Sequence, residues 1–365
     1  MANIRFIASQ DIIFPDYFRP KDAISEFCRT EHFGFLADRF GYLNQFSKYR
    51  AAAISRDEFP NGNSSKALND IMLDRASYFS NYCMKENKKC YIMYSGGCDS
   101  SAIISAFLES GYDLSFLIVL YTKSSIEEFP ELFSLLLKRK INLQLVKFED
   151  LITTAHELAK CENIVLTGFP ADQLFGSVIG QTYPKDTSKT HWTEYLKSDI
   201  ANQQYESAFQ HYGLKVNTIA EFLWFNNFAL KWDYVCYPAL WMNNIHHKNI
   251  IPFYNTKYFE EWSVSNYDIL HKYDQKDYKN YKIQMKDFIY KTTGIKDVYS
   301  LKKIPSFGYA QRIDGETHKR QYKISLLNDE EIIESIDIPK QNNKNIMELY
   351  GFYCIRLMKK YLKSN

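Results

Sequence analysis

Glycine is scarce in this chain. There are 14 in 365 residues, where roughly 7% is ordinary, so a place where glycines gather carries information. Long apolar runs are missing too. The longest, Leu114 to Tyr121, falls far short of the ~20 residues that a membrane-spanning helix needs. Residues 1–11 lack the apolar core of a signal peptide. The seven cysteines, at 28, 83, 90, 98, 161, 236 and 354, form no Cys-x-x-Cys pair. An odd number of scattered thiols fits free cysteines in a reducing compartment, so a cytoplasmic protein with no membrane partner is expected. The eight histidines show no metal-ligand spacing, and adjacent His246 and His247 face different directions in either a helix or a strand. Neither sign of charge predominates: the net charge is +2 and no extended basic arm occurs, so composition argues neither for nor against nucleic acid. What is plentiful is apolar and aromatic side chain, 45% and 16% of the residues. That is a globular composition, with length enough for one large or two ordinary domains.

Two phosphate-binding signatures are also missing. No Gly-x-x-x-x-Gly-Lys-Ser/Thr run and no Gly-x-Gly-x-x-Gly turn after a strand is present, which removes support for a P-loop or a dinucleotide site. Instead the chain has Tyr94-Ser95-Gly96-Gly97-Cys98-Asp99-Ser100-Ser101. It follows the short apolar run Cys90–Met93, which reads as a buried strand, and precedes Ala102–Leu108, which reads as a helix. Strand, glycine turn and helix make an anion-binding arrangement, because backbone N–H groups at a helix start point outward with partial positive charge. Gly96 and Gly97 permit close approach and positive φ. Ser95, Ser100 and Ser101 add hydroxyls. Asp99 would repel a phosphate unless a divalent cation bridged the two, and Mg²⁺ is commonly held by one or two carboxylates plus phosphate oxygens. Cys98 lies at the loop's variable position and is expected to be accessible but not catalytic.

About 70 residues on, Asn163-Ile164-Val165-Leu166-Thr167-Gly168-Phe169-Pro170-Ala171-Asp172-Gln173-Leu174-Phe175-Gly176-Ser177 repeats the theme of an apolar run, a glycine turn and an aspartate. Asp99 and Asp172, each just past the end of an apolar strand, suit one metal site, since open α/β sheets bind ligands outside the carboxyl ends of their strands. Asp172 would equally serve as the N-cap of a helix starting at Gln173. Four of the 14 glycines, Gly96, Gly97, Gly168 and Gly176, lie in these two loops.

The first loop resembles the Ser-Gly-Gly-x-Asp-Ser loop of the PP-loop ATP pyrophosphatases. The second is similar to the Gly-x-x-x-Asp-Glu-Leu-Phe-Gly-Gly segment of asparagine synthetases, with Gln173 in place of a glutamate and Ser177 in place of a glycine. Three weaker likenesses follow in family order: Ile251-Pro252-Phe253-Tyr254-Asn255 to Pro-Phe-Leu-Asp, Lys282-Ile283-Gln284-Met285-Lys286 to Lys-x-x-Leu-Arg, and Lys302-Lys303-Ile304-Pro305-Ser306-Phe307 to Arg-Lys-Lys-x-Gly-Phe. Together they cover roughly residues 65–310. The Glu-x-Arg that precedes Pro-Phe-Leu-Asp in the family is replaced by Lys248-Asn249-Ile250. No counterpart of the family's N-terminal glutaminase, with its cysteine exposed by Met removal, is expected, since residue 2 is Ala and the segment before the first motif is short.

The expected fold is α/β: a parallel-sheet PP-loop domain, similar to adenine nucleotide alpha hydrolases, with a mainly helical C-terminal region. Residues 1–88 read as an entry region, 89–180 as the nucleotide-binding core and 181–365 as the substrate and lysine-loop region. Strands are expected at Ile4–Ala8 and Ile12–Phe14, then near 90–94, Ser115–Tyr121, Leu143–Phe148 and Asn163–Thr167. Helices are expected from Asn63-Ser64 to about Lys85, near 99–109 with Gly111 after it, at 129–140 and at 150–161. Thr218-Ile219-Ala220-Glu221 predicts a capping box, Asp314-Gly315 a hairpin turn, and 344–363 a final helix. The aromatic density of residues 181–365 reads as core.

The resemblance implies ATP and Mg²⁺ as cofactors. Ser95, Gly96, Gly97, Ser100, Ser101, Thr167 and Gly168 would contact the nucleotide, and Asp99 and Asp172 the metal. Val119 and Tyr121 would pack on adenine, with a core role equally open for Val119. The implied reaction is adenylation of a small-molecule or peptide carboxylate, followed by attack of an amine donor. Lys303 is the first choice for charge stabilisation, with Lys302 and Lys282 behind it. An alternative is a PP-loop enzyme that adenylates a base of tRNA or DNA, using Lys302, Lys303, Arg312, Lys319, Arg320 and Lys323 on phosphates. Against it stand the near-zero net charge and the lack of a cysteine pair for sulfur delivery. A third reading is a non-catalytic nucleotide-binding module, which would have no need of two carboxylates.

Overall fold

The computed structural model describes residues 4–8, 39–40, 42–43, 58–147, 150–175, 187–194, 199–230, 248–270, 279–301, 323–328 and 331–337. Its strands are β1 (Ile4–Ala8), β2 (Cys90–Tyr94), β3 (Leu117–Tyr121), β4 (Asn142–Leu145), β5 (Ile164–Thr167), β6 (Ile250–Pro252), β7 (Lys323–Asn328) and β8 (Glu331–Asp337). The helices used below are α1 (Leu68–Lys85), α2 (Cys98–Glu109), α3 (Lys123–Glu128), α4 (Pro130–Lys138), α5 (Leu151–Lys160), α6 (Ala171–Phe175), α7 (Asp199–His211), α8 (Ile219–Phe225), α9 (Lys257–Ser265) and α10 (Ile283–Thr293). The chain forms two compact units, each assembled from separated segments. One comprises 60–178 and 245–317, the other 1–59, 179–244 and 318–365.

The first of these units is α/β. Its sheet has five parallel strands in the order β4-β3-β2-β5-β6. The central strands β2 and β5 are almost wholly buried, as continuous apolar runs in a covered parallel sheet should be. α2 packs beside α1 and α10, whereas α5 packs on β5 and β6. That division follows from the strand order. Right-handed crossovers that leave β2 in one direction and later return past it place their helices on opposite faces.

Several elements end where local chemistry dictates. The helix expected over 129–140 is α4 (Pro130–Lys138), and a break at Phe129 (φ −145, ψ 73) separates it from α3 before it. Pro130 causes the break: its ring drives the preceding residue out of the helical region, while its own missing N–H costs nothing at the first helical position. α3, which the sequence reading missed, starts from a Thr122–Ser125 capping box. α1 begins at Leu68 rather than at Asn63-Ser64, with Ala67 extended before it. The Ser64 N–H instead donates to Ser265 Oγ at 2.8 Å, tying that loop to the end of α9. Gly111 takes the left-handed position just after α2 (φ +75), as expected. The strand expected over Leu143–Phe148 is β4, Asn142–Leu145, a largely exposed edge strand. β6 was not foreseen as a strand; it has three residues, one of them proline, and pairs with β5, Val165 opposite Ile250, 85 positions on.

The other unit contains an antiparallel sheet of order β1-β7-β8, so residues 181–365 are not purely helical. Thr218 and Glu221 form the predicted box: Glu221 N–H donates to Thr218 Oγ1 at 3.2 Å and Thr218 N–H donates to Glu221 Oε2 at 2.9 Å. Aromatic rings fill the core beneath it. Trp192 stacks on Phe222 at 5.5 Å, and Trp224 on Phe228 at 5.1 Å. The strand expected at Ile12–Phe14, the turn at Asp314-Gly315 and the helix at 344–363 lie outside the described residues. Among the described residues no helix is long and apolar enough to cross a membrane.

Candidate functional site

β2 and β5 are adjacent and in register, Cys90 opposite Ile164 and Ile92 opposite Leu166. From β2 the chain goes to β3 on one side; from β5 it goes to β6 on the other. The carboxyl ends of β2 and β5 therefore flank the point where the strand order reverses, which is where open α/β sheets leave a crevice. Both glycine loops of the sequence leave the sheet there.

The first loop is shaped by packing and by its own hydroxyls. Gly96 has φ +86, and a Cβ on it would lie 2.6 Å from Ser125 O and 2.7 Å from Glu128 Cβ. The missing side chain thus makes room for α3, a reason for glycine that the sequence reading did not have. Gly97 is extended and precedes α2 without a side-chain cap. Ser95 Oγ accepts from Gly97 N–H at 3.2 Å, and Ser100 Oγ accepts from Ser95 N–H at 3.2 Å and lies 3.3 Å from Gly97 O as donor. Ser95 and Ser100 therefore fix the loop. Ser101 is buried. Ser125 Oγ donates to Tyr94 O at 2.7 Å and accepts from Thr122 N–H at 3.1 Å, anchoring α3 to the end of β2.

The second loop comes close because Gly168 has no side chain: a Cβ there would lie 3.2 Å from Asp99 Cβ. The two carboxylates converge on one cation, the Lys282 ammonium. Its Nζ lies 2.7 Å from Asp172 Oδ1 and donates to Asp99 Oδ1. Lys282 is 1% exposed, against 29% for Asp99 and 35% for Asp172. Burial by itself pulls the Lys282 ammonium down, but the Asp172 and Asp99 carboxylates outweigh it and push its pKa well above the usual lysine value. Two tyrosines brace the pair. Tyr281 OH donates to Asp172 Oδ1 at 2.8 Å, and the buried Tyr254 donates to the main-chain O of Asp99 at 2.7 Å.

The structure brings together Ser95, Gly96, Gly97, Asp99, Ser100, Gly168, Asp172 and Lys282. Lys282 was the last choice of the three lysines; Lys302 and Lys303 lie outside the described residues. Thr167 closes β5, its hydroxyl buried without a hydrogen-bond partner. Val119 is completely buried in β3, as a core residue is. Tyr121, at the end of β3, is half-buried with its ring 4.9 Å from that of Phe133. Glu128, buried against the first loop, was missed. So were Tyr254 and Tyr281, which are two of 28 tyrosines. Their one signal was position, inside the Ile251–Asn255 segment and next to Lys282.

Cys98 is buried rather than accessible. Burial, aided by Asp99, pushes its thiol up to about 12, so it is neither thiolate nor nucleophile near neutrality. Among the described cysteines Cys161 is exposed, and Cys83, Cys90 and Cys98 are buried. Native-state alkylation with iodoacetamide, read by peptide mass spectrometry, should therefore modify Cys161 and spare Cys98. Rapid labelling of Cys98 would mean that the loop opens.

Among the described residues no group of three or more His, Cys, Asp and Glu side chains could hold a metal. A divalent cation at this site would rest on Asp99 and Asp172. Two hard carboxylate oxygens converging on one point are a suitable donor set for Mg²⁺ completed by phosphate oxygens, and Lys282 occupies that point. No family model matches the chain, and no curated protein is detectably similar to it.

Proposed function

We propose that the chain is an ATP-dependent amide-forming synthetase of the PP-loop, asparagine synthetase-like type. It would adenylate a carboxylate and pass the acyl group to an amine, with release of pyrophosphate and AMP. One observation carries this reading: the carboxylates of Asp99 and Asp172 converge beside the glycine-led start of α2, where the strand order reverses. An inert connecting turn needs no such convergence of two carboxylates.

ATP supplies the adenylyl group, and Mg²⁺ neutralises phosphate charge. The chain's own residues orient and stabilise. The N–H groups at the start of α2 and the Ser95–Gly97 loop would hold the leaving pyrophosphate as its bond to the α-phosphorus breaks. Asp99 and Asp172 would hold the cation. Lys282, and Lys303 and Lys302 from the later basic segment, would face the charge that develops on the α-phosphate. The amine nitrogen then attacks the acyl carbon, the carbon–oxygen bond to AMP breaks and the amine proton passes to solvent. Catalysis of this kind is mostly positioning and charge neutralisation. The changed Asn255 and the replaced Glu-x-Arg favour an acyl substrate other than aspartate.

The test is Mg²⁺-dependent exchange of labelled pyrophosphate into ATP across a panel of carboxylic acids, peptides and nucleosides. Exchange that depends on one carboxylate supports the reading. ATP binding without exchange for any carboxylate rejects it, and exchange that depends on a nucleoside or tRNA transfers the site to base modification.

A further inference from the structure

The Lys282 side chain stands where two carboxylates would hold a cation. We propose that Lys282 and a divalent cation exclude each other between Asp99 and Asp172, so that the lysine is an internal counter-ion that must leave before a metal can enter. This rests on the nucleotide reading of the site and adds an order of events to it.

Space allows one cation. The ammonium lies 2.7 Å from Asp172 Oδ1 and is hydrogen-bonded to Asp99 Oδ1. Mg²⁺ would need oxygens at ~2.1 Å, and two cations cannot share one gap between the same oxygens. Charge favours the exchange. A divalent cation in the lysine's place brings Asp99 and Asp172 one more positive charge than the ammonium does, and the freed ammonium becomes available to an anion. A polyphosphate is the anion that supplies that partner, so nucleotide and cation should favour each other's binding.

The backbone favours release of the lysine. Lys282 is the N-cap of α10 with φ 50 and ψ 43, a left-handed conformation that side-chain-bearing residues adopt at a cost. The ion pairs hold it there, and an exchange would let it relax. The carboxylates keep other supports. Tyr281 continues to donate to Asp172, and Tyr254 to the main chain of Asp99.

Mn²⁺ alone is the probe, followed by the paramagnetic signal of the free ion. Without nucleotide, K282Q should bind one Mn²⁺ at least ~10-fold tighter than the unmodified chain, within the range of ordinary site-to-site coupling. K282R, which keeps the charge, should stay near the unmodified chain. Equal Mn²⁺ affinity in K282Q and the unmodified chain overturns the exclusion. A second measurement avoids any folding failure of K282Q. Acylation of Lys282 in the unmodified chain, read by mass spectrometry, should accelerate at saturating Mn²⁺, and an unchanged rate overturns the proposal. Equilibrium dialysis of labelled ATP with Mg²⁺ separates the two levels: absence of ATP binding overturns the synthetase reading, while the Mn²⁺ result alone decides the exclusion.

Discussion

Asp99→Asn is expected to lower pyrophosphate exchange by ~10³-fold or more, in line with loss of a ligand to the cation that neutralises transition-state charge. The fold should survive. Asp99 is 29% exposed, and an asparagine oxygen can still accept from Lys282, so the stability cost is set near ~1 kcal/mol, as for a partly solvated pair. Activity and stability therefore separate, and a thermal melt recorded beside the exchange assay checks both. Undiminished exchange would reject the metal and nucleotide role of this aspartate. A collapse of the melt would make Asp99 a structural ion-pair partner instead. Asp172→Asn should behave alike, with Tyr281 still able to donate to the amide oxygen.

The second large effect is on stability. Gly96→Ala should destabilise the α/β unit by ~3 kcal/mol, summing a left-handed backbone penalty and overpacking. At φ +86 the new methyl would meet the backbone carbonyl of Ser125 at 2.6 Å, and a backbone atom cannot rotate away. Gly97→Ala is the control. Its backbone is extended, and its added Cβ would lie 3.3 Å from the movable Ser95 Oγ and Glu128 Oε1, so ~1 kcal/mol or less is expected. Urea denaturation of the two variants measures the difference. Equal, small losses would mean that α3 does not seat against the loop as described.

Local features of this protein were legible because they depend on neighbours in sequence. The apolar runs Cys90–Tyr94 and Ile164–Thr167 are strands, the turn after Tyr94 starts a helix, and Thr218 and Glu221 cap one another. Errors arose where a local signal met a competing one. Asn63-Ser64 are good capping residues, yet Ser64 is engaged by Ser265, 201 positions away. Pro130 marks a helix start, yet a further short helix, α3, ends directly before it. β6 is too short to show a period, and its strand character comes from its pairing with β5.

The site divides in the same way. Sequence alone determined which loops carry glycine and aspartate, and that each follows a strand, because a strand–turn–helix unit is a matter of a dozen consecutive residues. It could not choose among three lysines. Tertiary structure decided that: the left-handed Lys282 at the start of α10 brings an ammonium to carboxylates 183 and 110 residues away in the chain, and Tyr254 and Tyr281 come with it. Gly96 shows the same division within one residue. Its sequence says that positive φ is allowed, but only the packing of α3 against the loop makes a side chain there intolerable, since the clash is with a backbone atom 29 residues downstream.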